Sequence, residues 1–555
     1  MTQPTRRDLF AGAVIAGAAA ACGSRGEPQP REGVPAPAPG PPVAKVEALP
    51  APDVEEATIA QLLERLARGA ETSVGLVDKY RQRIDATNEH GPKLRAVLEL
   101  NPDAAKDAEA ADKARAGKQP LGRLHGIPIL VKDNIDTAGA MATTAGSLAL
   151  EGSRAAADAT TVARLRKAGA IILGKTNLSE WANFRGASSS SGWSARGGQT
   201  RNPYALDRSP SGSSSGSGAA TAASLCAASL GTETDGSIVS PASVSGLVGV
   251  KPTVGLVSRA GVIPLSTSQD TVGPMARTVA DAALILTVIA GADPADPSTT
   301  AAHPRRPAAD VDYTAALDPK ALAGARLGVP RAGWFGKNRN VDAVMTAALA
   351  KLAELGAVLV DPIALDIPPE LGGHELEVFF TEMKIHLTAY LAKRPDAKAR
   401  SLDEAIAFNT QHADKELALF GQEFFELAAK KTTLEDQAYL AARAKCVEVA
   451  RTQLLDKAMA EHKLDAIVAA TQGPAWMIDH ACGDGGGSIS SSQLPAVAGY
   501  PHVTVPAGHV AGLPIGLSFF GAPFAEAKLL GYAYAFEQAT HHRKPPRYRP
   551  TAELA

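Results

Sequence analysis

Cysteine is scarce in this sequence. The four present, Cys22, Cys226, Cys446 and Cys482, lie far apart in 555 residues and form no CxxC or Cys/His spacing. Both a disulfide framework and a zinc site are therefore disfavoured. His125, His374 and His480 are scattered, with no HExxH and no close pair, and read as surface or hydrogen-bonded structural histidines. Charge of neither sign is in excess: 56 Lys and Arg against 58 Asp and Glu leave a formal net charge of −2. Nothing global thus favours nucleic acid as a partner. Long hydrophobic runs are missing too. The apolar run from Leu9 to Ala21 has about 13 residues, short of the roughly 20 that span a bilayer, and no later stretch is apolar enough. What is present is ordinary globular composition, 45% apolar and 21% charged, in a chain long enough to bury a large core.

The beginning reads as an address. Arg6 and Arg7 stand directly before the short Ala/Gly-rich run, the order of a bacterial twin-arginine (Tat-type) export signal over residues 1–22. Ala19-Ala20-Ala21-Cys22 resembles a lipoprotein cleavage box, with Ala19 where a leucine is usual. Lipid attachment at Cys22 and ordinary cleavage after a small residue are both open, so the destination is the periplasm or a membrane-anchored place in the cell envelope. Residues 23–53 are rich in proline and read as a disordered tether.

From residue 54 to 545 the pattern is that of one large domain, followed by a tail over 546–555. TIAQLLERLARG and SVGLVDKYRQRIDATN carry apolar residues three and four apart and predict helices. RAVLEL (95–100), GIPILVK (126–132), AIILGK (170–175) and GLVGVK (246–251) are short apolar runs bounded by Gly or Pro, and predict strands. Residues 158–170 and the small-residue run 216–231 read as helices between them. A helical insertion is expected over 370–463, after which strand signals return at 464–470, 502–507 and 514–521. The fold class is α/β: a large mixed sheet covered by helices, with late strands rejoining early ones.

Two segments rich in serine and glycine stand out. SPSGSSSGSG (209–218) would by composition be a linker. It runs, however, straight into a helix so poor in charge that it must be buried. GTETDGSIVSPAS (231–243) follows at the far end of that helix. Taken together, GSSSGS, GTETDGS and SGLVGVKPTVGLVSR resemble the signature of the amidase signature family. GIPILVKDNID is similar to its lysine segment and LPIGLSFFG to its last strand. The resemblance covers about 54 to 545. It implies a nucleophile at Ser237, a bridging serine at Ser213 held in a cis peptide beside Gly212, and a base at Lys132. It also implies an oxyanion loop through Thr234, Asp235, Gly236 and Ser237. Asp235 stands where most members have glycine, so either no glycine-only backbone exists there or aspartate adopts positive φ. Ser214 and Ser215 are candidates for supporting hydrogen bonds. Lys175 and Lys251 also end apolar runs, and for them a solvent-facing place at a strand end is expected.

The chemistry can be argued from the side chains. A serine hydroxyl is a poor nucleophile until a neighbouring base takes its proton, and without a Ser-His-Asp pattern a Ser-Lys arrangement is the substitute. A free lysine of pKa about 10.4 is neutral in only about one molecule in 2,500 at pH 7. Lys132 must therefore be desolvated, which its place after IPILV suits.

SEWANFRG (179–186), SGWSARGGQTRNPY (191–204) and TETDGSI are most similar to the peptide amidase branch, which implies release of ammonia from C-terminal peptide amides. A general acylamide or aryl amide amidase with the same triad is the alternative. A non-catalytic exported binding lipoprotein is the alternative of another class. An export signal argues against the amidotransferase subunit that acts on charged transfer RNA. GPAWMIDH (473–480) and the helical region are expected to shape the acyl side of the pocket, with Trp476 a candidate wall residue or a core residue. No metal and no organic cofactor is expected.

Overall fold

A computed structural model describes residues 53–307, 311–487 and 489–553. The export signal, Cys22, the tether to residue 52 and the last two residues of the tail lie outside the described residues.

The short apolar runs assemble into an eleven-stranded mixed sheet. In spatial order its strands are Val97–Leu100, Ile171–Thr176, Pro128–Lys132, Ala228–Glu233, Thr271–Ala276, Val248–Lys251, His502–Val510, Leu513–Phe520, Ala466–Ala470, Arg326–Pro330 and Val358–Ile363. Pro128–Lys132 lies parallel to both Ile171–Thr176 and Ala228–Glu233. The expected return of late strands occurs at His502–Val510, which pairs antiparallel with Val248–Lys251. Central strands such as Pro128–Lys132 are buried at every position, which explains their unbroken apolar runs where half-buried strands would alternate.

Helices cover the sheet. Ile59–Ala67 starts at Thr58, whose hydroxyl and Gln61 form a reciprocal capping box, and it buries Ile59, Leu62 and Leu66 on one face. Helices from Leu371–Leu391 to Asp456–Glu461 occupy the stretch between the strands Val358–Ile363 and Ala466–Ala470. The long helix Leu371–Leu391 places Phe379, Phe380 and Met383 against Trp181, Phe184 and Phe425 in a cluster separate from the main core. Arg185, fully buried, pairs with Glu180 and Glu416 and lies over the Phe420 ring at 4.2 Å, fastening this helical layer to the body. Among the described residues no helix is long and apolar enough to cross a membrane.

One expectation needs correction. The run 216–231 is not a single helix: the helix spans Ser215–Ala222, turns at Ser224 (φ 55°), and the chain returns as the strand Ala228–Glu233. Alanine and serine are compatible with either state, and here the open edge beside Pro128–Lys132 decides. The Ala227 N–H donates to Pro128 O at 3.1 Å, and the strand pairs on from there. Three arginines close the turn. Arg83 donates to Ala223 O, Arg277 to Thr221 O and Cys226 O, and Arg543 to Ala222 O, which satisfies carbonyls that the end of the helix leaves open.

Candidate active site

The helix–turn–strand return is what builds the site. A continuous helix over 216–231 would hold the two serine segments roughly 24 Å apart at 1.5 Å per residue. Folded back, the strand carries residues 232–237 alongside the start of the helix. Ser214 Oγ donates to Thr232 O at 3.0 Å, and the Ser214 N–H donates to Ser237 O at 3.2 Å. Glycine makes the approach possible: a Cβ on Gly231 would stand 2.8 Å from Ser214 Oγ. Ser215 Oγ donates to Ser211 O at 2.6 Å. Both neighbouring serines therefore tie the segment to itself and to the strand. The Gly212–Ser213 peptide is cis.

Lys132 ends its strand beside Thr232, fully buried. Its Nζ donates to Ser213 Oγ at 2.8 Å and to Thr232 Oγ1 at 2.8 Å. Burial is the largest influence on its ammonium and lowers the pKa to about 7, against the opposing pull of Asp270 and Glu233. Lys175 and Lys251, expected at the surface, are also fully buried. The reason is that the ends of these central strands lie under loops and not in solvent. Lys175 donates to Ile135 O and Thr143 Oγ1, and Lys251 to Pro252 O. Burial lowers each to about 8. Of the three, Lys132 is the one joined to a serine of the 209–218 segment.

The loop after the strand is held on both sides. Glu233, buried, accepts the N–H groups of Ile238 (2.7 Å) and Val239 (3.0 Å). Thr234 Oγ1 donates to Asp270 Oδ1 at 2.6 Å, while Asp270 accepts the N–H groups of Leu265 and Ser266 at 2.9 Å. Burial pushes the Asp270 carboxyl up to about 6. The left-handed conformation falls on Gly236 (φ 79°) and not on Asp235. Of the two readings of Asp235, the one without positive φ holds.

Thr234, Asp235, Gly236 and Ser237 line a cavity of about 180 Å³, with Phe184 and Phe379 on its apolar side. It is continuous with an outer chamber of about 710 Å³, sharing Asn183, Asp235, Ser240, Gln472 and Ser492. Trp476 is half-buried and lines the outer chamber, so of its two expected places it takes the wall. Sequence reading missed Thr232, Asp270 and Asn183. Thr232 lies on the strand just before the loop that begins at Thr234, where its Oγ1 meets Lys132 Nζ. Asp270 carried no local signal. Asn183 follows Trp181 and Ala182 in three consecutive left-handed residues (φ 66°, 50° and 56°), a conformation that composition does not announce. Among the described residues no group of His, Cys, Asp and Glu is placed to hold a metal.

Comparison with known proteins shows the family of the chain. A family model described as Amidase matches residues 76–530. The chain is 43% identical over 503 residues to a probable amidase of Arabidopsis thaliana, covering 89% of this chain and 92% of that one. It is 37% identical over 496 residues to a glutamyl-tRNA(Gln) amidotransferase subunit of Roseiflexus castenholzii, covering 88% and 97%. Among solved structures it is similar to the native peptide amidase from Stenotrophomonas maltophilia, with 50% identity and a TM-score of 0.85 over 89% of this chain and 99% of that one.

Proposed function

This chain belongs to the amidase family, hydrolases of amide C–N bonds, and from that premise we propose that it releases ammonia from the C-terminal carboxamide of peptides through Ser237, Ser213 and Lys132. The observation that carries the reading is the 2.8 Å contact from Lys132 Nζ to Ser213 Oγ, made by a buried lysine whose pKa lies near 7. Such an amine is neutral in about half the molecules at neutral pH, which a free lysine is not.

Ser237 Oγ attacks the carboxamide carbon as its proton passes to Ser213 Oγ and the Ser213 proton passes to Lys132 Nζ. The negative charge on the carbonyl oxygen is met by backbone N–H groups of the turn 234–237. Collapse breaks the C–N bond, and the proton returns along the same path to the departing nitrogen, which leaves as ammonia. Water then attacks the acyl ester by the same relay, and the carboxylate product departs. Ser214 and Ser215 act by holding Ser213 and the strand in place.

The peptide branch is supported by the likeness to a peptide amidase that binds the competitive inhibitor chymostatin, and by a chamber beyond Ser237 larger than a small amide needs. Residues 1–22 would direct export, ending either in lipid attachment at Cys22 or in ordinary cleavage after a small residue. The test is ammonia release from C-terminally amidated peptides by the full chain and by Ser237→Ala. Release that falls at least about a thousandfold in the variant supports the reading. Turnover of short aliphatic or aryl amides alone would keep the triad and discard the peptide substrate. No turnover of either by folded protein would leave the binding lipoprotein ahead.

A further inference from the structure

The inner cavity, at about 180 Å³, has room for a carboxamide and little more than the residue that carries it. The outer chamber, about 710 Å³, is of the size that takes a whole small ligand. Polar and apolar side chains share its walls. Trp334, Trp476, Leu365, Ile367, Pro368 and Pro369 line it. Both indoles are held by their N–H groups: Trp334 donates to Leu365 O at 3.0 Å and stacks on Phe520, and Trp476 donates to Asp484 Oδ1 at 3.0 Å. Asp484 is itself anchored by the Ser191 N–H and hydroxyl. The two rings are thus fixed before any ligand arrives, which lowers the ordering cost of binding against them. They come from chain segments some 140 residues apart (476 − 334 = 142), and the tertiary structure brings both to the lining of one chamber.

Resting on the peptide amide reading above, we infer that this chamber is a subsite for the residues that precede the amidated one, and that Trp334 and Trp476 select an aromatic or branched apolar side chain there. An extended peptide advances about 3.3–3.6 Å per residue, so a chain with its carboxamide at Ser237 must run out through the shared rim of Asn183, Asp235 and Gln472 into the tryptophan-lined space. An amino-acid amide reaches only the inner cavity. A dipeptide or tripeptide amide with phenylalanine or leucine before the terminal residue buries that side chain against the indoles.

The test compares kcat/KM for alanine amide, Gly-Ala amide, Phe-Ala amide and Gly-Phe-Ala amide with the full chain and with Trp334→Ala and Trp476→Ala, whose folding is checked by thermal melting. The expected result is a value for the phenylalanine peptides about tenfold or more above that for alanine amide, with glycine in that place gaining much less. In the variants the ratio of Phe-Ala amide to alanine amide falls severalfold, through KM more than kcat. Peptide amides that turn over at rates indifferent to length and side chain would overturn the subsite and leave the peptide amidase reading intact. If no peptide amide turns over while simple amides do, both fall. Should the variants fail to fold, the wild-type series alone decides, since a flat series rejects the subsite.

Discussion

Removing an ammonium group from water is costly, and at Lys132 that cost lowers the pKa to about 7, as the proposed base requires. Among the described residues no carboxylate is in hydrogen-bond contact with it, and the buried amine is met by two hydroxyls and a carbonyl, which tolerate its neutral form. The sign of the pH dependence follows. The base acts when neutral, and its pKa is lowered to about 7, so kcat/KM should climb about tenfold per pH unit below that value and level off above it. A pH–rate profile of ammonia release checks this. Lys132→Arg, charged throughout, should stay inactive across the range. A profile of the native protein flat from pH 5 to 8 would remove Lys132 from the role of base. Lys175 and Lys251 carry the same sequence signature and similar burial, but their partners are backbone carbonyls and a threonine. Three lysines alike in sequence differ only in what each strand end is laid beside.

Among the elements, the short helix Ser215–Ala222 and the strand Ala228–Glu233 matter most, because their return lays the 232–237 segment against Ser214, whose N–H donates to Ser237 O. The helix is buried at all eight of its positions, and its small residues are there for close approach. At Gly216 a Cβ would stand 2.2 Å from Ala96 O and 2.5 Å from Asn177 O, both backbone atoms that cannot step aside. Gly216→Ala should therefore destabilise the protein by about 2–4 kcal/mol, even though alanine is the better helix former. A denaturant melt compared with the native protein measures it, and an unchanged or raised midpoint would contradict the close contact. The run 216–231 was legible as buried but not as divided. Its Ala, Ser and Leu content is compatible with helix and strand alike, and the decision came from the open edge of Pro128–Lys132.

Over the whole molecule, the two ends of the described chain meet at the turn that closes this helix. Arg543 forks onto Glu56 at 2.7 and 2.8 Å and donates to Gly246 O and Ala222 O. One side chain thus joins the first described turn, the last segment and the frame of the site. Arg543→Ala leaves Glu56 and two carbonyls without this partner. It should lower stability by about 2–3 kcal/mol while leaving the substrate preference in place. A thermal melt beside a substrate panel tests both halves, and a loss of stability below about 0.5 kcal/mol would show that the ends are not coupled there. The same closure appears in the sheet, where a strand beginning at His502 pairs with one ending at Lys251.

By itself the sequence determined the family, the α/β class and most of the central strands, and it singled out Lys132, Ser213 and Ser237 as the candidate triad. Those follow from local properties: apolar runs bounded by glycine or proline, and serine–glycine segments too specific in order to be linkers. Only the tertiary structure decided that the lysines at all three strand ends are buried, where the left-handed residue of the 234–237 loop falls, and that Trp334 and Trp476 line one chamber. Each of these depends on how segments distant in the chain are packed together. A strand end looks the same in sequence whether a loop, a hydroxyl or water is what packing lays over it.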